Sequence, residues 1–126
     1  MLYKEFVPYE QSLVLKELGF DEPCFAFYNG KFIQSTEFDF DSYNSIDVGH
    51  HPLAPTFSQA FRWFRKKYKI HSVINLTIIG TWYFELYDLN DKRNAEIKTN
   101  QNEFKTPEEA ELACLIKLIE IVKNKQ

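Results

Sequence analysis

The C-terminal segment AELACLIKLIEIV is apolar around most of its circumference when it is read as a helix. A surface helix carries one apolar stripe, so a helix with two stripes must be covered on two sides. Thr106-Pro107-Glu108-Glu109 precedes the segment and supplies the N-cap residue, first-turn proline and N3 glutamate of a capping box. We therefore expect a long helix as the spine of the fold. Its predicted stripes are Leu112, Leu115, Ile116, Ile119 and Val122, and Ala110, Cys114, Leu118 and Ile121.

Two β-hairpins are predicted to pack against this helix. CFAFY and KFIQS flank Asn29-Gly30, which predicts strands at about 24–28 and 31–35 joined by a type I′ turn, because that turn needs positive φ at both central residues. VINLTII and TWYFELY predict a second hairpin around Gly80. Residues 95–99 are predicted to add an edge strand to the second hairpin.

The register of the second hairpin follows from the need to place its apolar residues on one face. Such a register requires an odd loop or a bulge at residues 79–81, since a two-residue turn would put the two apolar sets on different faces. We expect the bulge. The predicted pairs are Ile78 with Trp82, Leu76 with Phe84, and Ile74 with Leu86.

Two shorter helices are predicted from their end signals and their spacing. Residues 8–18 begin with Pro8 and are followed by Gly19 at the left-handed C′ position, where a Schellman motif would bring Phe20 back onto Leu15. Residues 56–68 have one apolar stripe and a basic opposite side. That stripe consists of Phe57, Ala60, Phe61, Phe64 and Tyr68.

Together these elements predict an α+β fold, with antiparallel β-hairpins packed against a long C-terminal helix and a central basic amphipathic helix. At 126 residues the chain has a common single-domain size, so we expect one domain over residues 1–126. Residues 36–55 have neither helical nor strand periodicity and predict a long loop, or a loop holding a short turn. Loops of that length within a compact domain are often functional or mobile.

Three stretches, PYEQSLVLKELGFDEPCF, QAFRWFRKKYKI and PEEAELACLIKLIEIV, together resemble a family of small uncharacterised proteins of Bacteroidetes phages and prophages. The likeness covers most of the chain and all three helices. It implies a bacterial or phage origin and a cytoplasmic setting. It implies no catalytic residue, because that family carries no assigned activity.

Residues 56–124 are also similar to double-stranded RNA binding domains in their predicted α-β-β-β-α order. That family places lysines at the N-terminus of its last helix, where the helix dipole helps them to meet phosphates. Here Glu108, Glu109 and Glu111 stand at that position. Three carboxylates repel a phosphate backbone, so RNA binding in that mode is not expected.

Aromatic residues make up 17% of the chain, with twelve Phe, seven Tyr and two Trp. We expect so many rings to exceed what a core of this size can hide, which leaves some at a contact surface. The predicted protein-binding residues are Tyr83 and Tyr87, on the outward face of the second hairpin, and Trp63, on the flank of the central helix. The simplest partner is a second copy, bound through the hairpin edge or the tyrosine face. If another element covers that face, the tyrosines are core residues instead.

The net charge is −3, which argues against a general polyanion-binding protein. Its distribution is uneven, because residues 1–50 hold three basic and nine acidic residues whereas residues 51–126 hold twelve basic and nine acidic residues. One helical arc is basic and predicts weak nucleic-acid binding as an alternative function. We favour a structural interpretation, in which these cations interact favourably with the dipole at the helix C-terminus and their aliphatic stems cover apolar neighbours. The arc consists of Arg62, Arg65, Lys66 and Lys69.

A second alternative is a metal-dependent hydrolase centred on His50 and His51 in the loop of residues 36–55. Carboxylates and imidazoles can hold a divalent ion that activates water, but a solvated acidic loop explains the same residues. These residues are Asp39, Asp41, Asp47, His50 and His51.

Cys24 and Cys114 are predicted to be buried free thiols in a reducing cytoplasm. We expect a non-enzymatic protein with no cofactor, no metal, no catalytic residue and no membrane association, since neither nucleophile motifs nor a signal peptide is evident.

Overall fold

The computed structural model describes residues 5–35, 43–93, 95–99 and 103–125. The chain divides into two compact units, residues 1–59 and residues 60–126. The first unit contains helix α1 (Tyr9–Glu17), strands β1 (Ala26–Asn29) and β2 (Phe32–Ser35), and the short helix α2 (Ser45–Val48). The division falls within helix α3 (Phe57–Tyr68), after which come β3 (Ile70–Leu76), β4 (Trp82–Asp88), β5 (Glu96–Ile97) and α4 (Pro107–Lys125).

The predicted α+β class is confirmed. The strands form two antiparallel sheets, one of β1 and β2 and one with the order β3-β4-β5. Within the second unit, the C-terminal helix α4 packs on β3 and β4. That residues 1–126 form one domain stays a prediction. None of the described helices has the length and apolar character needed to span a bilayer.

Helix α1 ends at the predicted C-cap. Gly19 has a φ of 98°, the left-handed conformation that glycine adopts without a side-chain clash. Its N–H donates to the Lys16 carbonyl at 3.0 Å, and the Phe20 N–H donates to the Leu15 carbonyl at 2.9 Å. These are the two hydrogen bonds of a Schellman motif. The start differs slightly, because Pro8 is the N-cap residue and the first helical residue is Tyr9.

The turn of the first hairpin differs from the predicted one. Asn29 pairs with Phe32, so the turn residues are Gly30 and Lys31 instead of Asn29 and Gly30. Gly30 has a φ of 63°, and Lys31 does not have positive φ. Positive φ at the first central residue alone is the requirement of a type II′ turn, so the predicted type I′ turn is wrong.

The core of the first unit is built on β1. Ala26, Tyr28 and Ala54 are buried together, and Phe6, Tyr9 and Ile33 pack against them. Residues 52–54 lie antiparallel to β1 on the side opposite β2. The Tyr28 N–H donates to the Pro52 carbonyl at 2.8 Å, and the Ala54 N–H donates to the Ala26 carbonyl at 2.9 Å. The hairpin is therefore extended by a third, irregular chain segment.

One backbone carbonyl, that of Val7, joins three segments of the first unit. It accepts hydrogen bonds from the Ser12 hydroxyl at 3.2 Å and from the Tyr28 hydroxyl at 2.7 Å. The Val7 N–H donates in turn to the Pro55 carbonyl at 2.8 Å. Val7, Ser12 and Tyr28 are all buried. The chain before α1 is thereby tied to α1, to β1 and to the segment that precedes α3.

The predicted long loop contains a short helix in its second half. Residues 45–48 form α2, which agrees with the alternative of a loop holding a short turn. The Asp47 N–H donates to the Asn44 side-chain oxygen at 2.9 Å, and the Asn44 N–H donates to the Asp47 carboxylate at 3.0 Å. Residues 36–42, with the predicted ligands Asp39 and Asp41, lie outside the described residues.

Helix α3 confirms the helix predicted at residues 56–68. Thr56 is its N-cap: the Gln59 N–H donates to the Thr56 hydroxyl at 3.2 Å, and the Thr56 N–H donates to the Gln59 side-chain oxygen at 3.1 Å. This reciprocal pair is a capping box, which the sequence reasoning missed. Phe57, Ala60 and Phe64 are buried as the apolar stripe predicts.

The second hairpin has the predicted faces but not the predicted register. Leu76 pairs with Trp82, Ile74 with Phe84 and Ser72 with Leu86, which shifts each predicted pair by two residues. A shift of two residues keeps every side chain on its face, since strand side chains alternate with period two. The connection is therefore a five-residue loop at residues 77–81 instead of a bulge, and Ile78 lies outside the sheet.

The remaining elements largely agree with the sequence. Strand β5 pairs with β4 at the predicted edge, although it is only two residues long. Helix α4 begins at the predicted cap, where the Glu109 N–H donates to the Thr106 hydroxyl at 3.2 Å. Ile116 is exposed, so the predicted first stripe is wrong at that position. The buried residues of α4 are Ala110, Cys114, Leu115, Leu118, Ile119 and Val122.

Candidate interaction surface

The loop between β3 and β4 is fixed by its own hydrogen bonds. The Thr77 N–H donates to the Thr81 carbonyl at 2.7 Å, and the Gly80 N–H donates to the Thr77 carbonyl at 3.2 Å. The Thr81 N–H also donates to the Thr77 hydroxyl at 3.1 Å, and the two threonine hydroxyls lie 2.7 Å apart. Gly80 has a φ of 86°, which a residue with a side chain rarely adopts. The loop therefore has a defined conformation.

Three large aliphatic side chains are exposed at this loop. Leu76 is 58% exposed, Ile78 105% and Ile79 74%, and we call these three residues the hairpin tip. Single exposed apolar residues are ordinary on protein surfaces, but a contiguous group often marks an interaction site. Full burial of each such side chain would be worth about 1.5–3 kcal/mol. Burial of the tip against a partner would therefore stabilise the complex.

The sequence reasoning missed the tip because it placed Ile78 opposite Trp82, inside the sheet. The signal that could have revealed it is the pair of threonines that flank Ile78-Ile79-Gly80, since threonine hydroxyls can close a loop by bonding its backbone. The same reasoning concentrated on aromatic rings. Among the described residues, Phe25 and Phe32 are exposed rings, and six other rings are buried.

The outward face of the second sheet carries the predicted Tyr83 and Tyr87, and both side chains are partly buried. Between them, Glu85 accepts a hydrogen bond from the Tyr87 hydroxyl at 2.7 Å and another from the Asn75 side-chain amide at 2.7 Å. The bond donated to Glu85 raises the pKa of Tyr87. A groove of about 410 Å³ lies along this face, and its lining includes Thr77, Tyr83 and Glu103. Thr77, which precedes Ile78, thus belongs both to this groove and to the loop, whereas Leu76 pairs with Trp82 and lies on the other face of the sheet.

Trp63, the third predicted protein-binding residue, is only 5% exposed. Its ring packs edge-on against Phe64 and Tyr68, with centroid distances of 5.1 and 5.6 Å. The Lys67 ammonium group lies 5.0 Å from the Trp63 ring centroid. Trp63 is therefore a core residue, which corrects the expectation that its ring is available to a partner and also removes it as a platform for stacking a base.

The basic arc is at the surface. Arg62, Arg65, Lys66 and Lys69 are all exposed. The first three lie on α3, whereas Lys69 follows the helix with a φ of 60°, and its carbonyl accepts a hydrogen bond from the Leu89 N–H at 2.8 Å. The structure thus supports both the exposure of these cations and a structural role for the backbone of Lys69.

An apolar groove is present in the first unit, between the chain that precedes α1 and the end of the first hairpin. Its volume is about 510 Å³, and its lining includes Tyr9, Tyr28, Phe32 and Lys31. Tyr9 and Tyr28 pack edge to face with their centroids 5.5 Å apart. Phe32 is 79% exposed, so its ring forms an open wall of the groove. We call this feature the first-unit groove.

The predicted metal ligands that the structure describes are Asp47, His50 and His51. The described residues contain no group of three or more potential metal ligands, and Asp39 and Asp41 are not among them. His50 and His51 lie side by side with ring centroids 4.2 Å apart, and His51 also packs near Phe27. The His50 carbonyl accepts a hydrogen bond from the Lys16 ammonium group.

Both cysteines are buried free thiols, as predicted. Burial raises the pKa of Cys24 and of Cys114 to about 12. The Cys24 thiol donates a hydrogen bond to the Glu22 carbonyl at 3.3 Å. A thiol with so high a pKa is almost entirely protonated at neutral pH, and the thiolate is the nucleophilic form. Neither cysteine is suited to nucleophilic catalysis.

The chain was also compared with known proteins. No protein-family model, no curated protein and no solved structure matches it. The resemblance to phage and prophage proteins therefore stays a prediction, and the proposed function is based on the surfaces described above.

Proposed function

We propose that this chain is a non-enzymatic phage or prophage accessory protein that acts by binding another protein, with the hairpin tip as its contact surface. The observation that carries the proposal is the exposure of Leu76, Ile78 and Ile79 on a loop held by its own hydrogen bonds. A fixed loop loses little conformational entropy on binding, so more of the gain from burying its apolar side chains contributes to affinity.

The surroundings of the tip have the character of an interface rim. Protein interfaces combine an apolar centre with polar and aromatic residues around it. Here Ile78 and Ile79 supply the apolar centre, and Tyr83 and Thr77 line the neighbouring groove. Glu85 and Tyr87 add a hydrogen-bonded polar group on the same sheet face. The tyrosine face is thus part of the proposed surface, while Trp63 is not.

The buried cysteines support a non-enzymatic role. Their raised pKa values disfavour the thiolate, so they cannot serve as activated nucleophiles at neutral pH. Cytoplasmic location is part of the same proposal and derives from the phage resemblance.

The test is site-specific photo-cross-linking in a bacterial lysate. A photoreactive amino acid replaces Ile79 in one variant and Ile116, which is exposed on α4, in a matched control. We expect discrete protein adducts from position 79, none of comparable yield from position 116, and loss of the adducts when Ile78→Ser is added. If position 79 gives no more adduct than position 116, the proposed function is wrong.

Weak nucleic-acid binding through the basic arc is a second candidate. The observation that favours it is the exposure of all four of its cations in a unit whose formal charge is positive. For four phosphate contacts with a single strand, the logarithm of affinity should fall against the logarithm of salt concentration with a slope of about −3. The variant Arg65→Glu/Lys66→Glu should abolish this binding, and Lys123→Glu, at an exposed site on α4, is the control. A salt-independent affinity would exclude this candidate.

A further inference from the structure

The chain carries both a projecting apolar tip and an apolar groove. The hairpin tip lies in the second unit, and the first-unit groove lies in the first. We infer that the hairpin tip of one copy docks into the first-unit groove of a second copy, so that the protein self-associates head to tail. This inference rests on the proposed function and names the partner as a second copy of this chain.

Shape and chemistry agree for the two surfaces. The groove volume of about 510 Å³ lies in the range of ordinary ligand sites, about 300–1,000 Å³. Its accessible apolar wall is mainly the ring of Phe32, which is 79% exposed, while Tyr28 is buried behind it. The tip offers Ile78, which is fully exposed, and Ile79, which is 74% exposed. Docking removes the exposed surface of the tip and of Phe32 from water at the same time.

Charge favours a contact between unlike units. Residues 1–59 carry three basic and nine acidic residues, a net charge of −6, because residues 51–59 hold no Lys, Arg, Asp or Glu. Residues 60–126 carry twelve basic and nine acidic residues, a net charge of +3. A head-to-tail contact joins opposite charges, whereas a symmetric contact between identical units joins like charges. The charge asymmetry therefore favours a head-to-tail contact between copies over a contact between two identical units.

A local pair of opposite charges supports the same arrangement. Lys31 lines the first-unit groove, and Glu103 lines the groove that also includes Thr77 at the base of the tip. Both residues are exposed. Lys31 is positive and Glu103 is negative, so the two would attract each other if the tip of one copy entered the groove of another.

The symmetry of the contact gives it a distinctive signature. A head-to-tail contact uses two different surfaces, so it produces rings or open chains of increasing length, whereas an isologous contact stops at a dimer. A copy with a damaged tip still has an intact groove, and a copy with a damaged groove still has an intact tip. The two damaged copies can therefore form one contact with each other and no more.

The experiment is sedimentation velocity on the full chain. The tip variant is Ile78→Ser/Ile79→Ser, and the groove variant is Phe32→Ser. All three residues are exposed, so neither variant removes a core side chain. We expect the unaltered chain to form larger species as its concentration rises to about 1 mM, the weak limit of specific association. Each variant alone should be monomeric, with self-association weakened at least about a hundredfold for the tip variant, and their mixture should form a one-to-one dimer.

Matched controls separate the surfaces from general hydrophobicity. Ile116→Ser in the second unit and Phe25→Ser in the first also remove exposed apolar side chains. Both should self-associate like the unaltered chain. Lys31→Glu and Glu103→Lys should each weaken self-association by about fivefold, and the double variant should restore it, because the swapped pair again has opposite signs.

Several outcomes would overturn the inference. If the unaltered chain stays a monomer up to the highest concentration, the inference is wrong. If position 79 nevertheless cross-links to a different protein, the proposed function survives without self-association. A dimer that neither variant disrupts, or a mixture of the two variants that stays monomeric, also overturns it. So does tip-dependent flotation with vesicles of phosphatidylglycerol and phosphatidylethanolamine in the absence of self-association, since the tip would then serve a membrane surface.

Discussion

Ile70 and Ile78 are the same residue type at opposite extremes of burial in one hairpin. Ile70 is fully buried in β3, whereas Ile78 is 105% exposed in the loop. Truncation of a buried isoleucine to alanine costs about 2–5 kcal/mol, while an exposed substitution away from special features stays within about 0.5 kcal/mol. Ile70→Ala should therefore lower the free energy of unfolding by about 3 kcal/mol, and Ile78→Ala should leave it nearly unchanged.

Urea denaturation followed by tryptophan fluorescence and circular dichroism measures both values. With a denaturant slope of about 1.5 kcal/mol per M, Ile70→Ala should shift the midpoint by about 2 M and Ile78→Ala by less than about 0.4 M. Each titration is repeated at two protein concentrations, so that self-association does not contribute. The alternative register would place Ile78 in the sheet opposite Trp82, a position in which Leu76 is 58% exposed here. A midpoint shift clearly above about 0.4 M for Ile78→Ala would refute the observed register and with it the hairpin tip.

Three other predictions test separate parts of the structure. Gly19→Ala should lower the free energy of unfolding by about 1 kcal/mol and the melting temperature by about 4 °C in calorimetry, because Gly19 has a φ of 98° and alanine is strained there; no change would argue against the Schellman motif. Burial raises the pKa of Cys24 and Cys114 from 9.0 to about 12, so the stability from keeping both thiols neutral is complete below the unfolded pKa and is lost as the pH rises through the folded pKa. The free energy of unfolding, measured by denaturation between pH 9 and 12, should fall by up to about 1.4 kcal/mol per pH unit for each thiol. The variant Cys24→Ala/Cys114→Ala should show a weaker dependence on pH. Glu85→Gln should lower the raised pKa of Tyr87 in an ultraviolet titration, because the hydrogen bond to the Glu85 carboxylate is its main cause; an unchanged titration would mean that the two side chains do not interact.

Helix ends were predictable because their signals are local. The Schellman motif at Gly19 and the N-cap at Thr106 depend on a few consecutive residues whose backbone preferences are strong. The capping box of Thr56 and Gln59 has equally local chemistry and could have been found in the same way. Helix α3 and the positions of both hairpins followed from apolar periodicity, which reflects which side of each element is buried.

The turns and the register were harder to predict, since several pairings satisfy the same apolar pattern. Shifting the second hairpin by two residues preserves both faces, so alternation alone cannot choose between a three-residue and a five-residue loop. The choice is made by the hydrogen bonds between Thr77 and Thr81, which close the longer loop. In the first hairpin, Gly30 meets the positive-φ requirement of either turn type, and the pairing of Asn29 with Phe32 decides between them.

Trp63 shows a different limit of sequence reasoning. Its position beside the apolar stripe of α3 is compatible with either a surface or a boundary position in the core, and the charged residues around it suggested the surface. The ring is in fact 5% exposed, with Phe64 and Tyr68 packed edge-on against it. Helical spacing alone could not decide between the two positions.

The Val7 carbonyl determines how the N-terminal part of the chain can be altered. Its two donors, the hydroxyls of Ser12 and Tyr28, are buried and would have no acceptor after removal of residues 1–7. Leaving two buried donors unsatisfied costs about 1–3 kcal/mol each, which is a large part of the stability of a small domain. Removal of Val7 would therefore weaken the support of β1, so a shortened variant made for crystallisation should retain this residue.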